Sequence, residues 1–318
     1  MGGGAALVFL QIWSSPPRFV ELGIHFYPQW LAFWTILVLC FAAVSRLLVS
    51  VLNLSTQVLR WQNLSFLLLF LALLLPFQSY VLPVLDFSQP ADSTPEAPSA
   101  PVLRIVLANI LFTNPQTESF ERWLAQQQAD VVVIEELNRP YEALMNRQVE
   151  YPYHRVVYTG DPFGIGIWSR IPFAQEETLH LGPAQLPSLY VQLKTPKPVH
   201  LLATHPYPPI SDRYFLDRNA QYMALAEFLA KKPGAKAVVG DLNVTHWSGY
   251  YQRWEQQLGM RNTRHGQGLL PSWPVHWPAL LRIPIDHVLV SEDWSDWETA
   301  LGPDIGSDHL PLRVVIRP

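Results

Sequence analysis

The chain has a single cysteine, Cys40, in 318 residues. One thiol excludes an intramolecular disulfide and a thiolate metal cage, and it leaves the redox compartment open, because an extracytoplasmic protein can do without cysteines. Excess positive charge is missing too: 22 Lys and Arg stand against 26 Asp and Glu, a formal net charge of -4. That balance excludes a bulk positive field able to hold a polyanion, although it allows local patches. Charge of either sign is scarce at the front of the chain. Residues 64–85 carry none, and residues 30–51 carry only Arg46. No internal repeat of fixed period is present.

Those two stretches, one uncharged and one nearly so, are what the front of the chain offers instead. At about 1.5 Å per residue, each is long enough to cross about 30 Å of hydrocarbon. The run over residues 67–75 has no polar face, which a soluble helix normally shows. Two transmembrane helices are therefore expected within residues 30–85. Residues 1–29 form a short N-terminal segment whose apolar part, 5–13, is too short to span unaided; a remnant of a first span, an interfacial segment and a poor signal sequence all fit it. Arg46 and Arg60 flank the loop between the expected spans, so the positive-inside rule places that loop in the cytoplasm and the region after residue 102 outside. Residues 86–102, rich in Pro, Ala and Ser, read as a semi-extended tether.

From residue 103 to 318 the composition is mixed and the pattern alternates. Apolar, β-branched runs predict strands over 102–110, 131–134, 154–158, 166–169, 189–193, 199–204, 237–239, 285–290 and 312–316. Amphipathic stretches predict helices over 118–128 and 212–230, the second with Ser211 as N-cap. So many strands with so few intervening helices point to two packed sheets covered by helices, an α/β class, rather than one doubly wound sheet. Proline (29) and tryptophan (12) are abundant, and Trp273-Pro274 and Trp277-Pro278 suggest rigid loops walling a cleft.

Short polar motifs close several of these runs. Asn109 ends the first strand and Glu136 follows the second, an amide and a carboxylate suited to a hard cation such as Mg²⁺. Glu135 competes with Glu136 for that place; strand alternation turns one of them inward without saying which. Asp241 and Asn243 lie two apart after Gly240, where an aspartate could orient and deprotonate water and the amide could bond an oxyanion; an ordinary Asp/Asn turn fits the same residues. Two Asp-His pairs follow, 286–287 and 308–309. Adjacent strand residues face opposite ways, so Asp286 is expected to work with His309, its carboxylate fixing the tautomer of the ring, and Asp308 to face a metal. His205 ends another strand beside Pro206-Tyr207-Pro208-Pro209 and is a second candidate imidazole. Tyr207 and Trp247 are candidate substrate contacts.

Taken together, Asn109, Glu136, Gly164-Ile165-Gly166-Ile167-Trp168-Ser169-Arg170, Thr204-His205, Gly240-Asp241-Leu242-Asn243, Ile285-Asp286-His287 and Gly306-Ser307-Asp308-His309 resemble the endonuclease/exonuclease/phosphatase superfamily in order and spacing, over about residues 103 to 318. The chain looks most like its bacterial membrane-anchored branch. The resemblance implies a four-layer α/β-sandwich and Mg²⁺-assisted (or Mn²⁺-assisted) hydrolysis of a phosphoester by in-line attack of water. It implies Glu136, Asn109 and Asp308 at the metal, Asp241 and Asn243 at water and phosphate, His309 with Asp286 at the transition state, and His205 at the leaving group. It also implies attachment to the bilayer of a bacterial inner membrane, with the catalytic domain in the periplasm; no protein partner is implied. Two departures stand out: Glu135 replaces the family's usual glutamine, and Leu242 its commoner phenylalanine.

Substrate is left open by the resemblance, since the superfamily acts on DNA, RNA, phospholipids and inositol phosphates. A nuclease-like phosphodiesterase is the first expectation, a phospholipid- or sphingomyelin-type phosphodiesterase or phosphatase the second. A catalytically silent, membrane-tethered binding module is the third, and the full set of polar residues speaks against it.

Overall fold

The fold is described from a computed structural model for residues 15–52, 64, 67 and 102–318. The apolar segment 5–13, the expected second span over 64–85 apart from Leu64 and Leu67, and the linker up to residue 101 lie outside the described residues.

Two helices lead, α1 (Arg18–Ile24) and α2 (Tyr27–Leu52). The strands that follow are β1 (Leu103–Asn109), β2 (Val131–Glu135), β3 (Tyr153–Val157), β4 (Ile165–Ser169), β5 (Phe173–His180), β6 (Pro187–Leu193), β7 (Val199–Thr204), β8 (Ala235–Asp241), β9 (Met260–Asn262), β10 (Asp286–Ser291), β11 (Asp296–Leu301) and β12 (Leu312–Arg317). Among them lie α3 (Glu118–Gln127), α4 (Arg139–Arg147), α5 (Asp212–Ala230) and α6 (Gly249–Leu258). The strands form two six-stranded sheets, ordered β11-β12-β1-β2-β4-β3 and β5-β6-β7-β8-β10-β9. Each holds one parallel pair, β1 with β2 and β7 with β8, joined through α3 and α5 respectively. The other pairings are antiparallel.

Central strands read as continuous apolar runs because both of their faces are covered. In β1, Ile105 and Leu107 point between the sheets, while Val106 and Ala108 point outward. The inner residues meet Leu201, Val239 and Val288 of the second sheet. The outer ones pack on Phe120 and Leu124 of α3 and Leu144 of α4. On the far side, Leu202, Val238 and Leu289 pack on Leu225 of α5 and Trp254 of α6. The result is the expected four-layer sandwich. Three strands absent from the sequence reading, β5, β9 and β11, are all sheet edges. With one flank open to water they carry polar residues, as in Gln175-Glu176-Glu177, and show no apolar run.

The two leading helices behave differently. In α2, Phe33, Ile36, Leu39, Leu47 and Val51 are exposed, and the stretch Tyr27–Val51 is long and apolar enough to cross a membrane. α1, inside the segment read as merely apolar, sends Glu21 into the body of the protein. There Arg218 of α5 donates to it at 2.5 Å and Ser248 at 2.6 Å, and all three side chains are buried.

Candidate active site

The two sheets end at one shared edge. Parallel strands deliver their C-terminal residues there: Asn109 from β1, Glu135 and Glu136 from β2, Thr204 and His205 from β7, Asp241 from β8. Antiparallel strands deliver their N-terminal ends: Asp286 opens β10 directly opposite Asp241, and Asp308-His309 lead into β12. This placement brings together in space residues up to 200 positions apart in the chain, at the edge where α/β sheets carry their ligands.

Asp241 is central. Its Oδ2 lies 3.6 Å from His205 Nε2, 3.5 Å from His309 Nε2 and 3.2 Å from Asn109 Nδ2, while Oδ1 accepts the Asn243 N–H at 2.9 Å. His309 Nδ1 meets Asp286 Oδ2 at 2.9 Å, and Ser272 donates to the same carboxylate. With Nδ1 engaged, Nε2 of His309 faces Asp241 and the cleft. Ser307 Oγ donates to the Asn109 carbonyl at 2.8 Å and accepts the His309 N–H at 3.0 Å, tying the lead-in of β12 to the end of β1.

The Glu135/Glu136 ambiguity is resolved by backbone geometry. Glu135, still in the strand, points between the sheets, is fully buried and accepts the Asp241 N–H at 2.7 Å. Glu136 turns into the left-handed region at φ 54° and opens onto the cleft, its oxygens held by Asn109 Nδ2 (3.1 Å) and the Phe112 N–H (2.9 Å). Gly240 has a related reason. A Cβ there would stand 2.0 Å from the Thr204 carbonyl oxygen and 2.8 Å from Glu135 Oε1, so its missing side chain makes room for neighbouring protein rather than for a ligand.

Charge crowding sets the electrostatics. Burial, then the neighbouring Asp241 charge, push Glu135 well above the usual carboxylate range. Burial also raises Asp241, to about 8, against the pull of His309 and with the help of Asp286 and Glu136. For His309 burial opposes the charged form, but Asp286 and Asp241 outweigh it and raise the ring to about 10. Burial acts on Asp286 as well, yet His309, Ser272 and Arg264 hold it below its ordinary value. His205 is lowered, burial outweighing the attraction of Glu136. The site thus pairs one charged imidazole with one neutral imidazole around a single carboxylate.

Two oxygens suit a hard cation. Glu136 faces the cleft, and buried Asp308 Oδ1 has no hydrogen-bond partner while its Oδ2 accepts from Trp273 Nε1 at 3.0 Å. Asp241, Asp286 and His309 also bring one donor atom each within 4.8 Å of one another. In that second set the Asp286–His309 bond already engages one pair of donor atoms.

Trp247 and Tyr207, expected as substrate contacts, are not among the cleft-lining residues. Asn109 turns its amide nitrogen toward Glu136 and Asp241, bridging the two carboxylates, and its oxygen toward the Leu111 N–H (3.1 Å). Trp247 is buried away from the cleft, its indole N–H donating to the Ile24 carbonyl at 2.7 Å; it anchors α1. Tyr207 stacks on Tyr214 and meets Phe163 edge-on, supporting two cleft-lining rings from behind. Asn243 lines the cleft at φ 52°, its amide donating to the Pro206 carbonyl at 3.0 Å. His287 lies between Asn262 and the Val244 carbonyl and takes no part.

The cleft measures about 510 Å³. One wall comes from a place the sequence did not suggest: Leu22, His25 and Phe26, at the end of α1 and its junction with α2, face Phe163, Ile210 and Trp273. The available signal was slight. Glu21 is the only carboxylate in residues 1–85.

A family model described as "Endonuclease/Exonuclease/phosphatase family" matches residues 106–309. Among solved structures, D. rerio TDP2 complexed with single strand DNA product aligns at a TM-score of 0.58 and 18% identity, over 68% of this chain and 99% of that one. An endonuclease/exonuclease/phosphatase family protein from Leptotrichia buccalis C-1013-b aligns at 0.55 and 14%, over 67% and 99%. Sphingomyelinase C from Streptomyces griseocarneus aligns at 0.52 and 19%, over 68% and 99%. At these identities the likeness is one of fold. Comparison with curated proteins finds no match.

Proposed function

The chain belongs to the endonuclease/exonuclease/phosphatase family, and from that premise we propose that it is a membrane-anchored, divalent-cation-dependent phosphodiesterase. The observation that carries this reading is Asp241 Oδ2 standing between two imidazole nitrogens, one of them on a ring backed by Asp286.

Asp241 in its ionised form accepts a proton from the attacking water, burial having made it a stronger base than an exposed carboxylate. The water oxygen bonds to phosphorus as the opposite phosphorus–oxygen bond breaks. His309, kept cationic by Asp286 and Asp241, stabilises the charge that develops on the phosphoryl oxygens. His205, kept neutral by burial, donates a hydrogen bond toward the departing oxygen, which takes up a proton from solvent as Asp241 returns its own. Asn243 holds the phosphate beside Asp241. Glu136 and Asp308 would hold Mg²⁺ or Mn²⁺, which when bound supplies Lewis-acid polarisation of the phosphate, and Asn109 keeps the carboxylates apart.

α2 supports anchoring by its length, its apolar surface and the absence of buried contacts over most of it. Arg46 and Arg60 support a periplasmic catalytic domain in a bacterial inner membrane. Because α1 packs into the catalytic body, the test uses the full chain in detergent. It is expected to hydrolyse bis(p-nitrophenyl) phosphate with Mg²⁺ and to lose that activity in excess chelator. Asp241→Asn should lower the rate by about 10²–10⁴-fold. Full activity in chelator, or undiminished activity in the variant, would overturn the mechanism.

A further inference from the structure

The cleft is not equipped to hold a polyanion. Among the described residues, no Lys or Arg lines it, and the formal net charge of the chain is -4. Nucleic-acid binding draws most of its affinity from such cations on phosphates. Beyond the catalytic floor, the lining is aliphatic, aromatic and proline: Leu22, Phe26, Phe163, Ile210, Trp273 and Ile283 are among its members.

The origin of that lining is informative. Phe26 is in the cleft wall, and the next residue, Tyr27, begins the apolar helix α2. The cleft therefore opens where α2 leaves the body of the protein. Around this point the surface carries a ring of exposed apolar side chains: Phe19 (73% exposed), Ile210 (70%), Trp277 (41%), Leu280 (87%) and Leu281 (45%). Phe19 lies on α1, and Ile210, Trp277 and Leu280 are tied to the leading helices. Arg18 of α1 bonds Asp212 at 2.5 Å and reaches the Ile210 carbonyl, and Phe26 packs on Trp277 with ring centroids 6.3 Å apart. Gln29 of α2 donates to the carbonyls of Leu280 and Arg282, both at 3.1 Å. Exposed apolar surface grouped at the foot of a candidate span has a ready occupant, the interfacial region of the bilayer, where Trp and Tyr are favoured.

We propose that these residues form a collar seated in the membrane interface, and that the cleft takes the phosphodiester headgroup of a lipid drawn from the plane of the bilayer. Leu22 and Phe26 lie against the apolar part of that lipid while its phosphate reaches Asp241 and His309. The inference rests on reading the site as a phosphodiesterase and α2 as a membrane span, and it adds the substrate class and the route of entry.

The test uses the full chain in phosphatidylcholine proteoliposomes and reads position and turnover separately. For position, Leu280→Cys on a Cys40→Ser background carries an environment-sensitive fluorophore. Quenching by brominated lipid is expected, and a label quenched only by aqueous iodide overturns the collar whatever the chemistry does. For turnover, vesicles containing phosphatidylcholine, phosphatidylglycerol or sphingomyelin are compared with single-stranded and plasmid DNA. Headgroup release from at least one vesicle type, faster than DNA cleavage, is expected; DNA cleavage without lipid hydrolysis, or hydrolysis of bis(p-nitrophenyl) phosphate alone, overturns the substrate class. Leu280→Asp with Leu281→Asp should slow vesicle hydrolysis by about tenfold or more and leave the soluble diester within about twofold. Equal loss on both, or loss on neither, also counts against the collar. Failure of the wild type on the soluble diester would instead strike the phosphodiesterase reading, while the quenching result still decides the collar.

Discussion

The floor and the N-terminal wall of the cleft are built on different principles. The floor consists of strand ends, and each functional side chain there inherits its position from a hydrogen-bonded ladder: Asp241 faces Asp286 because β8 pairs with β10 in that register. The wall is a seven-residue helix without a sheet to hold it, docked by a buried Glu21–Arg218 pair, Ser248, and the Trp247 and Thr245 contacts to Ile24 and His25. The floor is held by backbone ladders, the wall by a buried ion pair. Substitutions in the floor should therefore register in chemistry, and substitutions behind the wall in stability.

The largest effect should come from the floor. His309→Ala and Asp286→Ala are each expected to lower kcat by about 10²–10⁴-fold, and the double variant to be little worse than either, because the two side chains act as one unit. Simple additivity in single-turnover rates would separate them. Next comes the wall. Glu21→Ala leaves Arg218 buried without its carboxylate and should cost about 3–5 kcal/mol in denaturant unfolding of the full chain in detergent. A loss no larger than that of a surface pair would show that α1 is only loosely docked. The smallest is Ser307→Ala, which removes the link between the Asn109 carbonyl and the His309 N–H and should cost about 1–3 kcal/mol. If it lowered kcat as strongly as His309→Ala, the division between chemistry and support would fail at that point.

Much of the sandwich was legible because its central strands are covered on both faces, so β1, β2, β7, β8, β10 and β12 stand out as apolar runs with polar residues at one end. Of the four edge strands, β5, β9 and β11 were not, since a half-exposed strand selects polar side chains, while β3 was. Within the site, strand alternation suggested pairing Asp286 with His309, and the two lie 2.9 Å apart. Alternation could not separate Glu135 from Glu136, because the deciding event is a left-handed residue just past the strand. Nor could it show which atom of the Asn109 amide faces the carboxylates, a choice made by the Leu111 N–H.

By itself the sequence determined the class of fold, the family and a set of candidate polar residues, because periodicity and motif order are local properties written along the chain. Which of those residues touch, and the recruitment of α1 as a wall of the cleft, were decided only in three dimensions. Glu21 and Arg218 are 197 positions apart, and no local pattern records that a lone carboxylate in an apolar leader will be buried against a guanidinium on a distant helix.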